Sequence, residues 1–182
     1  VIADATSGTS GDLKVASGAV LESGVASVFA HTTAITSATV GGSVTYNVKH
    51  ADATDVDLTF TSFGTVNIVM AGTAALSWTD DIKTTYSGIG NSTDLNITTG
   101  AAALTMGDIA ATASNTLDAV TVSGAGVLVT EAIAANSVAI TSGDFSSSTI
   151  AANSLTANVE DFVATDLTIE GAVAITASKT VT

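Results

Sequence analysis

The chain has 182 residues, of which 46% are hydrophobic but only 4% aromatic and 12% charged; four lysines and no arginine face seventeen carboxylates, for a net charge of −13. So few scattered cations (Lys14, Lys49, Lys83, Lys179) cannot replace phosphate counterions, which excludes nucleic acid and argues against anionic membranes. The absence of cysteine excludes disulfides and thiolate metal sites, and no apolar run approaches the roughly 18–20 residues of a membrane-spanning helix, so no membrane insertion is expected.

Residues 1–12, VIADATSGTSGD, read as a flexible arm tipped by Val1 and Ile2. Because the sequence starts at Val1 rather than Met, a removed export signal is the expectation. From residue 13 onward short runs alternate apolar side chains with Thr, Asn, Ser or Ala: LKV (13–15), VTYNV (44–48), VDLTF (56–60), VNIVM (66–70), LSW (76–78) and LNI (95–97). The series continues with LTM (104–106), AVTV (119–122), VLV (127–129), VAI (138–140), LTANV (155–159), LTI (167–169) and VAI (173–175). Period-2 alternation rich in Val, Ile and Thr is the signature of strands with one buried face. Gly, Ser, Asn and Asp punctuate the gaps, as turns require. The Ala-rich stretches 107–120 and 129–140 leave room for one or two short helices, against which their β-branched content argues.

Short strands at such spacing predict an all-β chain, either a parallel β-solenoid or a β-sandwich or jelly roll. In a solenoid, small aliphatic side chains suffice, because inward positions stack on the same positions of the next coil. Residues 13–182 are expected to form a single β-rich domain, with the best candidate loop or junction at 83–94. Six of the eight aromatic residues precede residue 87, which suggests a wider core in the first half.

Enzyme signatures are missing: there is no Gly-x-Ser-x-Gly elbow, P-loop or His-Glu-x-x-His, and His31 and His50 are the only histidines. The expectation is a protein that is not an enzyme and requires no cofactor. Three acidic groupings stand out: Asp52, Asp55 and Asp57; Asp80 and Asp81; and Glu160 with Asp161. Ca²⁺ takes six to eight oxygen ligands, and Asp55 and Asp57 would project from one face of a strand, so Asp52, Asp55, Asp57, Asp80 and Asp81 are the candidate ligands. The plainer account of these residues is a solvated acidic loop. Asn91-Ser92-Thr93 and Asn96-Ile97-Thr98 fit the N-glycosylation pattern, although such triplets also arise by chance in a Thr-rich chain. Trp78 with Tyr86 nearby is the one grouping suited to stacking on sugars, with a core role for Trp78 as the competing account.

The segments LNITTGAAALTMGDI, LDAVTVSGAGVLVT and SVAITSGDFSSSTIAANSLTANV resemble β-solenoid stretches of bacterial surface-layer proteins and large secreted adhesins. The resemblance is one of composition and period over roughly residues 54–182, and the Gly-Asp nonapeptides of the Ca²⁺-dependent surface-layer proteins are missing. It implies a self-assembling, non-enzymatic, extracellular or cell-surface role. Two functions are therefore expected. The first is a structural subunit of a filament, sheath or surface layer, joined to other copies by strand addition through Val1, Ile2, Val173, Ile175 and Val181. The second is an adhesin or carbohydrate-binding module that recognises surface glycans.

Overall fold

A computed structural model describes residues 13–22, 33–48, 58–70, 75–77, 81–85, 92–111 and 116–182. Among them are fifteen strands: β1 (Leu13–Val15), β2 (Ala19–Glu22), β3 (Thr33–Ser37), β4 (Gly42–Val48), β5 (Leu58–Thr61), β6 (Phe63–Met70), β7 (Leu76–Ser77) and β8 (Ile82–Thr85) come first. They are followed by β9 (Ser92–Thr99), β10 (Leu104–Thr105), β11 (Ile109–Ala111), β12 (Thr116–Gly124), β13 (Leu128–Thr141), β14 (Phe145–Ile169) and β15 (Val173–Val181). Every strand pair is parallel, and a single sheet links all fifteen. The chain is a parallel β-solenoid. The sandwich and jelly-roll alternative, which needs antiparallel pairs, falls away. The Ala-rich stretches hold β11, β12 and β13, and the described residues contain no helix.

The coil has three faces. One is the succession β1, β3, β5, β8 and β11, passing into β13 at Ile133 and into β14 at Ile150. A second is β2, β4, β6, β9 and β12, continued by later parts of β13 and β14 and by β15. The third is short: β7, β10 and the first residues of β13 and β14.

Alternation along each strand becomes stacking between coils. On the second face Leu21, Tyr46, Ile68, Ile97, Val122, Ile140, Ala157 and Ile175 lie in register on successive coils. On the first, Leu58, Ile82, Ile109, Ile133 and Ile150 form a similar column. Leu76, Leu104, Leu128 and Phe145 do so on the third. Leu95, inside β9, and Leu104, which opens β10, therefore lie on two faces of one coil, and the Thr, Gly and Ala between them lead round the corner. Small residues are needed there because coils approach closely: a Cβ on Gly126 would lie 2.2 Å from the Ala102 carbonyl oxygen. At another corner Ser62 takes a left-handed conformation, φ 63°, between β5 and β6.

Coil length drops after β12: successive members of the second-face column stand 22 to 29 positions apart from Leu21 to Val122, and 17 or 18 apart from Val122 to Ile175. Ile68 stacks on Ile97, 29 positions later, whereas Ile140 stacks on Ala157, 17 positions later. The long coils enclose Tyr46, Phe60 and Phe63, packed edge to face with centroids 6.5 and 6.2 Å apart. The short coils are filled by Phe145 and Phe162, stacked at 5.5 Å. Their strands bend through the corners instead of stopping, so β13 and β14 each run across more than one face. The loop expected over 83–94 has strand at both ends, in β8 and β9; residues 86–91 lie outside the described residues. Buried hydroxyls are satisfied across coils: Thr93 Oγ1 donates to the Phe63 carbonyl at 2.8 Å, and Thr130 Oγ1 to the Gly107 carbonyl at 2.7 Å.

Candidate assembly interface

The last coil differs from those before it. In β14 the inward residues Leu155, Ala157, Val159 and Phe162 are buried, whereas Val163 and Leu167 beyond them are exposed. In β15 the columns continue in register, with Val173 on Leu155, Ile175 on Ala157 and Val181 on Phe162. Yet Val173 is 52% and Val181 59% exposed, and Ile175 is only half-buried. The physical reason is position. Each inner coil is covered on both sides, and β15 has one neighbour, β14, among the described residues. Its other edge presents main-chain donors and acceptors beside aliphatic side chains, which is a template for another strand.

Charge is sparse at this edge. β15, VAITASKTV, has no acidic residue and one cation, Lys179. The Lys179 ammonium donates to Glu160 on the preceding coil, and that contact, followed by the attraction of the same carboxylate, raises the lysine pKa. A shallow recess runs along the neighbouring corner between Gly124 and Ser178, lined also by Thr141, Asn158 and Glu160.

Of the five assembly residues expected from sequence, Val173, Ile175 and Val181 meet on this one coil. Val1 and Ile2 lie outside the described residues, as do Asp52, Asp55, Asp57, Asp80, Trp78, Tyr86 and Asn91. Asp81 is described, and both its oxygens are engaged: Oδ1 accepts the Asp108 backbone N–H at 2.8 Å, and Oδ2 lies 3.3 Å from Lys83 Nζ. It acts as a fastener between coils. Asp144 repeats the arrangement, its Oδ1 accepting the Asp161 N–H at 3.2 Å. Among the described residues no three His, Asp or Glu side chains converge as a metal site. Asn96 lies in the middle of β9 and donates its side-chain N–H to Asn67 Oδ1 at 3.0 Å; Asn67 in turn donates to the Val44 carbonyl at 3.3 Å. The amide nitrogen that a glycan would occupy is thus engaged in a ladder between coils.

Sequence reasoning overlooked a second ladder. Asn153 donates to Asn136 Oδ1 at 2.5 Å, and Asn136 donates to Asp118 Oδ1 at 3.1 Å. A signal for it exists: IAANS occurs at 133–137 and again at 150–154, 17 positions on, the same offset as the register of β13 on β14. Also overlooked were Val163 and Leu167, exposed on the final coil.

No protein-family model, no curated protein and no solved structure matches the chain.

Proposed function

We propose that the chain is a non-enzymatic structural subunit of an extracellular or cell-surface assembly, a filament, sheath or surface layer, whose copies join by strand addition. The observation that carries this reading is the open edge of β15, where in-register columns end in exposed Val173 and Val181. A parallel edge strand in water leaves its ladder half unused, and burying it against another chain adds backbone hydrogen bonds and apolar contact together. Low charge at this edge supports the same reading, because copies carrying −13 each repel one another elsewhere.

Negative-stain electron microscopy of the purified chain, compared with Val173→Lys/Val181→Lys, tests it. Both side chains are more than half exposed, so the double variant is expected to keep its β circular dichroism. Regular assemblies in the parent and dispersed particles in the variant are the expected result. Dispersed parent chains, or assemblies indifferent to the two lysines, would remove the open edge from the function. Repeating the parent sample in chelator tests Ca²⁺ at Asp52, Asp55 and Asp57: assembly that survives chelation makes the ion unnecessary.

A further inference from the structure

We infer that the second face of the coil is a lateral docking surface for the second face of another copy, so that rods pair side by side. The inference rests on the assembly reading above and adds a contact along the rod to the one at the β15 edge.

Two outward columns run along this face. Thr45, Asn67, Asn96, Thr121, Ala139 and Thr156 form one; Asn47, Val69, Thr98, Ser123, Thr141 and Asn158 form the other. Neither column holds a charge, in a chain of net charge −13. Along these strands the carboxylates stand at the margins: Asp94 precedes Asn96 by two residues, and Glu160 follows Asn158 by two and is held by Lys179. The first face differs, bearing Lys14 and Lys83 and bordered by Asp81 and Asp108. The third is narrow, with β7 and β10 only two residues long each. Among the described residues, then, the second face is the broad surface on which two acidic copies meet without repulsion.

The polar groups of this face pair along the rod. Asn96 donates to Asn67, Asn67 donates to Thr45 Oγ1 at 3.4 Å, and the Thr98 and Ser123 hydroxyls lie 3.4 Å apart. Partners within the columns lower the cost of removing water from the face. Val69, Ala139 and the threonine methyl groups supply apolar contact between them. Both copies repeat at the strand spacing of about 4.8 Å, so a column of one seats beside the columns of the other and keeps register from coil to coil. Six coils and a five-residue width give a footprint of about 400 Å², or about 800 Å² for two copies, below the roughly 1,200 Å² of a stable pair. One pair of chains therefore binds weakly, and the contact strengthens when joined rods present many copies of it at once.

Thr98 and Thr156 are exposed and stand in different columns. Thr98→Glu/Thr156→Glu puts carboxylates into the face, whereas Thr98→Asn/Thr156→Asn keeps it neutral; circular dichroism checks that both stay folded. Electron microscopy reads filament width. Sedimentation of Val173→Lys/Val181→Lys, with and without the glutamates, reads the lateral contact apart from the β15 edge, at an ionic strength of roughly 0.15 M where charges are screened beyond about 8 Å. The expected filaments are two rods wide for the parent and the Asn pair, and one rod wide for the Glu pair. In the lysine background a weak dimer is expected, its dissociation constant raised about tenfold or more by the glutamates. Parent filaments one rod wide, or a dimer indifferent to the glutamates, would overturn the lateral contact and leave strand addition standing. A dimer broken by the glutamates, beside a parent that builds no filament, would sink the assembly reading and keep the lateral contact. Monomers at every concentration, whose retention on a neutral polysaccharide is lost with the glutamates, would overturn the pairing and assign the face to a glycan.

Discussion

Single residues hold the coils together mainly by reaching one coil up or down. Asn96, Asn136 and Asn153 bridge through side-chain amides, whereas Asp81 and Asp144 accept backbone N–H groups. Asp94 fits this scheme least well. Partial desolvation of its carboxylate, and after it the nearby Asp118 charge, raises its pKa, with a hydrogen bond from the Ala119 backbone pulling the other way. A carboxyl whose pKa is raised by folding destabilises the fold when ionised. The penalty is full above the raised pKa and absent once pH falls below the ordinary carboxylate value of the unfolded chain. Asp94→Asn is therefore expected to raise the melting temperature at neutral pH, modestly because the side chain is exposed and screened by solvent. The gain should vanish in acid below the ordinary carboxylate range. Thermal melts at neutral and acidic pH check this, and an Asn variant less stable than the parent at neutral pH would contradict it.

At the level of the element, strand alternation decides which side chains enter the core, and coil length decides how large they are. Phe60 in β5 is fully buried, edge-on to Tyr46 in β4 and Phe63 in β6, so it spans two faces of the wide coils. Phe60→Ala would leave a cavity that stiff, backbone-paired walls cannot collapse around. A loss of about 3–5 kcal/mol is expected for such a truncation, measured by urea denaturation. A loss near that of an exposed Thr→Ala change would mean that the aromatic cluster does not hold the wide coils apart. Strand existence was legible from sequence: Leu58, Val66, Leu76, Leu95, Leu104, Val120, Val138 and Leu155 open or lie in the expected runs and are buried. Parity was not always legible. In VLV at 127–129 it is Leu128 that is buried, with Val127 and Val129 half-buried, because three apolar residues in a row carry no alternation.

On the scale of the whole molecule, each coil touches only its neighbours, so stability is close to a sum of coil and interface contributions. Inner coils have two interfaces, and the coil ending in β15 has one among the described residues. Amide hydrogen exchange should therefore be fastest in β15, slower in the second half of β14 and slowest around β9, β12 and β13. A uniform protection pattern across these strands would show that the rod opens as one unit instead. Association at the β15 edge would raise protection there selectively, which ties the exchange profile to the assembly reading.

The sequence by itself determined the strand content, because alternation of Val, Ile and Leu with Thr, Ser and Asn is a local pattern that each strand needs wherever it packs. It also determined the coil composition, since small aliphatic columns follow from residue size, and it held the 17-residue repeat in IAANS at 133–137 and 150–154. It did not decide between sandwich and solenoid. Parallel and antiparallel partners demand the same alternation, and the choice appears only when Ile97 is found beside Val122 and Ile68. Nor could it reveal that Val173 and Val181, which belong to the same columns as buried Leu155 and Phe162, are left open. Exposure there follows from tertiary neighbours, of which β15 has only β14 among the described residues, and no local pattern encodes them.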